Sequence, residues 1–462
     1  MSKNMNMTQG RPLRLLLTFA LPLMLGNVCQ QLYTVVDTAV VGRGVGIEAL
    51  ASLGSVDQIN WLTVNIVTSL TAGAGVRISQ KFGEGDMQGM KRVLGQGAVL
   101  SLAITIVGMV LVLAGLPLFL TVMRVPQELR ALCSLYVQIL TCGMLSMVLY
   151  NYTSTALRSV GDSKTPLLAM IVSSVTNIVL DCLAVFVLDW GIAGAAAATV
   201  IAQLVSGVIC AVRMYRMPIL RFSGEDLRPA WPMIADLLRL GLPIAFKAAV
   251  LTVSSMFRQT LINGFGTSFI AGFTAANKLY GVLQICAMAY GSAVTTYVGQ
   301  NYGAGKMERI KSGMRSALIM AVVTAVVIAI PMFVFGRPLT ALFISADDAA
   351  LAAAAGVIAY DYLRVMAVGL FTLYLLYVYL MALQGLGKSV VTMISGFVEC
   401  ALCLSVGIVT AFTSASRLLY FSDMIGWLGA VIFLAWHYRR QMVQLEREHT
   451  TAQYSKETSM QN

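Results

Sequence analysis

Twelve apolar runs, most of them about 20 residues or longer, follow one another along the chain and leave little room for a soluble fold. A run of that length crosses a bilayer as a helix, because lipid offers no partner to backbone N–H and C=O groups and each segment must satisfy its own. The expected spans are 13–40, 50–78, 93–118, 129–149, 166–188 and 192–212 in the first half. In the second they are 237–262, 269–298, 318–334, 357–383, 390–412 and 421–438. Composition agrees. Of 462 residues, 58% are hydrophobic and only 11% charged, with a mean hydropathy of +0.78, where a soluble domain carries about 25% charged residues.

The net charge of +11 would suggest nucleic acid in a soluble protein. Here Lys and Arg gather in alternate short connections: Lys3, Arg11 and Arg14; Lys81, Lys91 and Arg92; Arg158 and Lys164; Arg213, Arg216, Arg221 and Arg228; Lys306, Arg309, Lys311 and Arg315; Lys388; Arg439 and Arg440. The other connections hold few. The positive-inside rule then places both termini in the cytoplasm of a multi-pass inner-membrane protein, and an even number of spans is required. Nucleic acid is not an expected partner.

The two halves repeat. QKFGEGDMQGMKR (80–92) parallels QNYGAGKMERIKS (300–312), Leu21-Pro22 parallels Leu242-Pro243, and ALRSVGDS (156–163) parallels ALQGLGKS (382–389). The order is kept at a separation of about 220 residues, the size of a half-domain. The expected fold is therefore an all-α polytopic membrane protein, with twelve transmembrane helices in two pseudo-symmetric six-helix lobes around a central cavity. Its expected organisation is a cytoplasmic N-terminus (1–12), an N-lobe (13–213), a cytoplasmic linker (214–236) carrying Pro218, Pro229 and Pro232, a C-lobe (237–440) and a cytoplasmic tail (441–462), disordered or a frayed helix extension.

Enzyme chemistry finds no foothold in this pattern. The two histidines, His437 and His449, lie near the tail, and no metal-ligand cluster is spaced for a site. GLGKS (385–389) resembles the end of a phosphate-binding loop, but Ala382 stands where the first Gly is needed and a helix end replaces the strand-to-helix turn. ATP-driven work by this chain is not expected, and an ion gradient is the expected source of energy. The eight cysteines, Cys400 and Cys403 included, lie in or beside apolar runs and read as small fillers.

Charges inside apolar runs carry the information. An Asp at mid-helix costs on the order of 3 kcal/mol on insertion, so it faces a partner or a cavity. Asp37 lies late in span 1. Asp181 lies in span 5 with Asn177 one turn before it, and Thr199 in span 6 can add a hydroxyl. Such a group can bind a proton or a cation, or it can tie helices together by hydrogen bonds. The second half carries Lys247 and Arg258 in span 7, Asp361 and Arg364 in span 10, and Glu399 in span 11. Asp361 and Arg364, three apart, are expected to neutralise each other, and Lys247 is a candidate partner for Glu399.

Four segments together resemble the multidrug and toxic compound extrusion (MATE) transporters: ALPLMLGNVCQQLYTVVDTAVVGRGVGIEALASLG (20–54), LRSVGDSKTP (157–166), NIVLDCLAVFVLDWGIAGAAAATVIAQ (177–203) and VGQNYGAGK (298–306). The resemblance runs from about residue 13 to 440. It implies an antiporter of two six-helix lobes that exports small organic, often cationic, compounds against proton or sodium flow. Position by position it implies an ion-coupling site at Asp37, Asn177, Asp181 and Thr199, with Na+ at Asp37, Asn177 and Asp181 as one option. Some relatives use a second sodium site with an acid in span 7, where this chain has Lys247. In span 11 the relatives' Glu is kept as Glu399, but Cys403 replaces the Arg that follows, and Lys247 is a candidate for the missing cation.

The expected function is secondary active multidrug antiport by alternating access, with H+ or Na+ as coupling ion, no other cofactor and no enzymatic activity. Lys247, Asp361 and Glu399 are assigned to the substrate cavity or a C-lobe polar network. Small organic substrates and membrane lipids are the expected partners of a monomer. The alternatives are a lipid-linked saccharide flippase of the wider superfamily and a non-transporting membrane receptor or scaffold.

Overall fold

The structure is a computed structural model that describes residues 6–45, 47–122, 125, 127–341, 343–344 and 349–461. It is helical throughout, with thirteen α-helices among the described residues. They are α1 (Pro12–Gly44), α2 (Ile47–Glu84), α3 (Met87–Val122), α4 (Gln127–Cys142), α5 (Met144–Ser159), α6 (Lys164–Cys182), α7 (Gly191–Arg216), α8 (Trp231–Asn263), α9 (Thr267–Gly303), α10 (Met307–Ala341), α11 (Ala349–Gly385), α12 (Ser389–Thr413) and α13 (Ser422–Gln461). A π turn, Leu183–Val187, continues α6, and a short 3-10 helix, Ser416–Phe421, precedes α13.

The count of twelve spans holds, with two adjustments. Among the described residues, ten helical segments are long and apolar enough to cross a membrane, and α4 with α5 forms an eleventh, bent by 42°. The bend falls at Gly143, whose missing side chain leaves room for Val200 of α7. The twelfth is α2, less apolar but 38 residues long, about 57 Å at 1.5 Å per residue. Residues beyond Arg440 continue α13 as far as Gln461.

The chain divides into two compact units. One contains Thr18–Ala245; the other contains Met7–Leu17 together with Phe246–Asn462. Each half's first helix therefore begins in the unit of the other half: α1 up to Leu17, and α8 up to Ala245.

In the first unit, Ile78, Met90, Leu94, Ala156, Leu157 and Val160 form a fully buried core, joined by Leu220 of the α7–α8 connection and Leu237 of α8. Burying a Leu side chain stabilises by roughly 1.5–3 kcal/mol, so this connection is held rather than free. Gln96 of α3 secures it. Its Nε2 donates to the carbonyls of Asp226 (2.7 Å) and Arg228 (2.8 Å), and its Oε1 accepts from the Ala230 N–H (2.9 Å). Arg77 adds a bidentate pair to Asp236 of α8, at 2.6 and 2.7 Å. Small residues let α8 approach α2: a Cβ on Gly73 would lie 2.7 Å from the Gly241 nitrogen and 2.9 Å from its Cα.

The second unit holds residues 7–10 in the same manner. Met7 is fully buried. Its N–H donates to Gln300 Oε1 (2.9 Å), and its carbonyl accepts from Asn301 Nδ2 (3.1 Å) and Arg309 (3.2 Å). Lys306 donates to the Thr8 carbonyl (3.1 Å), and Arg309 to that of Gly10 (3.0 Å). These are the segments leading into α1 and α8, which occupy equivalent places in the repeat.

The repeated glycines have a common job. Gly85 and Gly305 have φ of +77° and +67°, and Gly161 and Gly387 have +90° and +77°. All four end a helix with the same bonds. The glycine N–H donates three residues back, and the following N–H donates five back, as in Gly305→Tyr302 with Lys306→Asn301 and Gly387→Gln384 with Lys388→Leu383. This is the Schellman cap, for which a left-handed residue is required. GLGKS is therefore a helix end.

Candidate functional site

Asp37 of α1 and Asp181 of α6 meet inside the first unit, and their carboxyls lie close enough to share one proton. Asp181 has no exposed surface and Asn177 almost none, while Asp37 is half-buried. One oxygen of Asp37, both of Asp181 and the amide oxygen of Asn177 are sealed from solvent without a hydrogen-bond donor. Two adjacent carboxylates bond to each other only when a proton sits between them. A hard cation meets the same need, because carboxylate and amide oxygens are its ligands. The site is thus shaped for one positive charge, and leaving both acids ionised and bare in a dry place costs several kcal/mol.

Local structure explains how α6 presents this group. Asn177 and Asp181 are one turn apart and share a face. Directly after Asp181 the helix widens into the π turn, where the Leu188 N–H bonds to the Leu183 carbonyl at 3.0 Å. Asp189 and Gly191 then take positive φ, +52° and +54°, and start α7. α7 returns Thr199 to the cluster, where its Oγ1 accepts from Asn177 Nδ2 at 3.4 Å. The four residues expected to act together do gather. Tyr33 joins them, one turn before Asp37 and within electrostatic reach of both carboxyls; its i−4 spacing from Asp37 was the available signal.

The second unit carries a different polar group. Lys247 of α8 and Glu399 of α12 are both buried and attract each other, but no ion pair within 4.0 Å forms between them. Glu399 takes a hydrogen bond from Trp427, and its Oε2 is sealed without a partner. The Lys247 stem lies along Gly396, where a Cβ would come 2.6 Å from its Cγ. Nearby, Arg258 forms an ion pair with Asp423, and Tyr362 donates to both Asp423 and Asn277 at 3.3 Å. Arg258 also acts electrostatically on Glu399, so two cations share the neighbourhood left by Cys403, whose Sγ bonds to the Ser422 carbonyl at 3.4 Å. All eight cysteines are free.

Two sequence expectations need correcting here. Arg364 does not neutralise Asp361; among the described residues its guanidinium lies over the Tyr360 ring, 5.8 Å from the centroid. Side chains on a helix lean toward its N-terminus, and the ring four residues back offers a flat face to a planar cation. Asp361 lines a cleft to which neither Lys247 nor Glu399 contributes. Arg337, Thr340 and Tyr360 line the same cleft, while the neighbouring Tyr362 turns toward Arg258 and Asp423.

The MatE family model matches residues 22–183 and 243–413, one stretch in each half. The chain belongs to the MatE family. Members similar to it include the probable multidrug resistance protein YpnP of Bacillus subtilis, 30% identical over 351 residues, which are 75% of this chain and 78% of that protein. A protein of Shewanella oneidensis described as an FAD transporter is 25% identical over 342 residues, 71% of this chain and 74% of that one. Among solved structures, a MATE protein in complex with MaL6 superposes with a TM-score of 0.90 at 23% identity, covering 97% of this chain and 100% of that one. The MatE fold, read from the repeat and the spans, is thereby shown: a nearly all-helical, two-lobe layout of twelve spans. MatE proteins are transporters of the membrane, and this chain is one of them.

Proposed function

We propose that the chain is a multidrug antiporter that exports small organic, cationic compounds in exchange for protons or sodium. The observation that carries this reading is the meeting of the buried acids Asp37 and Asp181, whose sealed oxygens suit one shared positive charge. Relatives described as multidrug resistance proteins support the substrate class. The Lys and Arg pattern supports both termini in the cytoplasm.

The cycle follows from the charge balance. With the positive charge bound, the Asp37–Asp181 pair holds α1 against α6. On its release the two carboxylates repel and the constraint on α1 is gone. Ion and substrate then bias one two-state equilibrium in opposite directions, and each reduces the other's affinity by the same factor, typically 5–150-fold. Asn177 and Thr199 orient the oxygens, and Tyr33 bounds the site on α1.

Proteoliposomes loaded with a fluorescent cationic dye test the proposal. Dye extrusion on imposing a pH or a sodium gradient is the expected result, and separate gradients name the ion. Extrusion unchanged in Asp37→Asn would falsify the role given to the pair.

A further inference from the structure

The second unit has a cationic feature that the coupling site does not use. In α10, Arg315 and Arg337 bracket residues 316–336, which contain no ionisable side chain. At 1.5 Å per residue the stretch between them is about 33 Å long, the thickness of a bilayer's hydrocarbon core. In α11, Arg364 opens a comparable stretch that carries no charge before Lys388. Arg337 and Arg364 therefore stand at the headgroup level of the leaflet opposite the basic connections, where the positive-inside rule leaves few cations.

There they share one platform. The Arg337 guanidinium lies 5.2 Å and that of Arg364 5.8 Å from the centroid of the Tyr360 ring. The ring is held in place by its hydroxyl, which donates to the Phe333 carbonyl at 3.1 Å. Among the described residues, neither guanidinium has a carboxylate within 4.0 Å, and both side chains are exposed. Beside Arg337 a cleft of about 390 Å³ opens between α10 and α11, lined by Arg337, Thr340, Gly356, Val357, Tyr360 and Asp361; Arg364 is not part of the lining and adjoins it through the Tyr360 ring.

We infer that this cleft binds the phosphodiester headgroup of a membrane phospholipid, with Arg337 and Arg364 on the phosphate. A guanidinium presents paired N–H donors that match phosphate oxygens. Stacking on Tyr360 restrains both forks before a ligand arrives, so less freedom is lost on binding. The small and apolar lining, Gly356 and Val357, suits the glycerol and the first methylenes of the acyl chains. Asp361 in the same cleft leaves a place for a headgroup ammonium. The site is distinct from the Asp37–Asp181 pair and does not depend on the ion that pair carries.

Native mass spectrometry of the detergent-purified chain, titrated with phosphatidylglycerol and phosphatidylethanolamine, tests this. Wild type should retain one phospholipid more than the double variant Arg337→Gln/Arg364→Gln, whose affinity for that molecule should fall at least tenfold. Tyr360→Leu keeps both charges but removes the platform, and an intermediate loss is expected; it serves as well if the double variant does not fold. Adding either phospholipid should raise the Tm of wild type and not of the double variant. Equal retention by wild type and both variants overturns the inference. Displacement of the retained lipid by millimolar inorganic phosphate also overturns it, since the site would then take free phosphate.

Discussion

The backbone N–H of Met7 donates to Oε1 of Gln300 at 2.9 Å, so the segment before the first helix of one half is bonded to the repeat motif of the other. The segment before α8 is bonded in the same way to Gln96 of α3. Both segments are thus clasped by a glutamine side chain, although Gln96 lies outside the repeat motif that contains Gln300. Replacing Gln300 with Leu leaves a buried N–H without an acceptor, a loss of about 1–3 kcal/mol. The unfolding midpoint in detergent should drop by roughly 2–4 °C for each kcal/mol in a unit of this size, and Gln96→Leu should behave likewise. Midpoints equal to wild type would mean that the clasps contribute nothing to stability.

Asp37→Asn and Asp181→Asn each remove one acid from the shared site. Both variants should insert and fold, because Asn fills the same volume and removes the repulsion. Gradient-driven dye export should fall at least tenfold in each, consistent with a coupling of 1–3 kcal/mol. Combining the two should cost little more than either alone, since one bound charge needs both carboxyls. Additive losses would contradict a shared site.

The glycines at the repeated helix ends admit a direct check. Gly387→Ala and Gly161→Ala each force a side chain into a left-handed conformation, at about 1–2 kcal/mol. Alanine at Gly115, which has nothing within 4 Å of a new Cβ and no positive φ, is the control and should be neutral or stabilising. Thermal unfolding of the three variants separates backbone strain from crowding.

Arg258 and Asp423 form a largely buried ion pair. Arg258→Met alone leaves Asp423 facing only the Tyr362 hydroxyl, and should destabilise by up to about 3 kcal/mol. The double variant Arg258→Met/Asp423→Asn should recover part of that loss. A double variant no more stable than the single one would show that the pair's worth lies in the Arg side chain's packing.

Asp86, in the turn between α2 and α3, is held below the usual carboxylate range by the Gly89 N–H first and by Lys81 second. A group whose folded value is depressed stabilises above its unfolded value and loses that contribution as pH falls through the folded one. Asp86→Ala should therefore unfold at a lower temperature than wild type at neutral pH. The difference should shrink below roughly pH 4, where an ordinary Asp takes up its proton. Asp86 is exposed, so the effect is small. A difference independent of pH would point to the turn geometry instead of the charge.

Much of this fold was legible because lipid simplifies the code. Twelve spans follow from run length, since backbone groups in hydrocarbon must bond within their own segment. The paired motifs 80–92 and 300–312 showed the halves, and the structure gives their glycines a physical role in ending helices. α2 was readable as a span from the run at 50–78, and the even count required by the charge pattern supported it. Asp37 and Asp181 were legible because a carboxylate is costly in an apolar run, Asn177 because it lies one turn before Asp181, and Thr199 joined them through the family resemblance.

Other features had no sequence signal. Asp423, just after a 3-10 turn, was not singled out in the sequence, yet it pairs with Arg258 from 165 residues away. Asp361 and Arg364 have the spacing of an ion pair, but Tyr360 takes the guanidinium, because helix spacing names several possible neighbours and rotamers choose among them. The assignment of residues 7–17 to the second unit, and of α8 up to Ala245 to the first, depends on contacts between segments far apart in the chain.

The sequence by itself determined how many times the chain crosses the bilayer, which glycines end helices at the repeated motifs and which polar groups had to be buried, since these depend on local free energies of transfer and backbone geometry. Only the tertiary structure decided that Asp37 and Asp181 stand carboxyl to carboxyl, that Lys247 stops short of Glu399, and that Arg337 and Arg364 share one ring. Those pairings depend on helix rotation and depth, which are set by packing against neighbours that no local stretch of sequence contains.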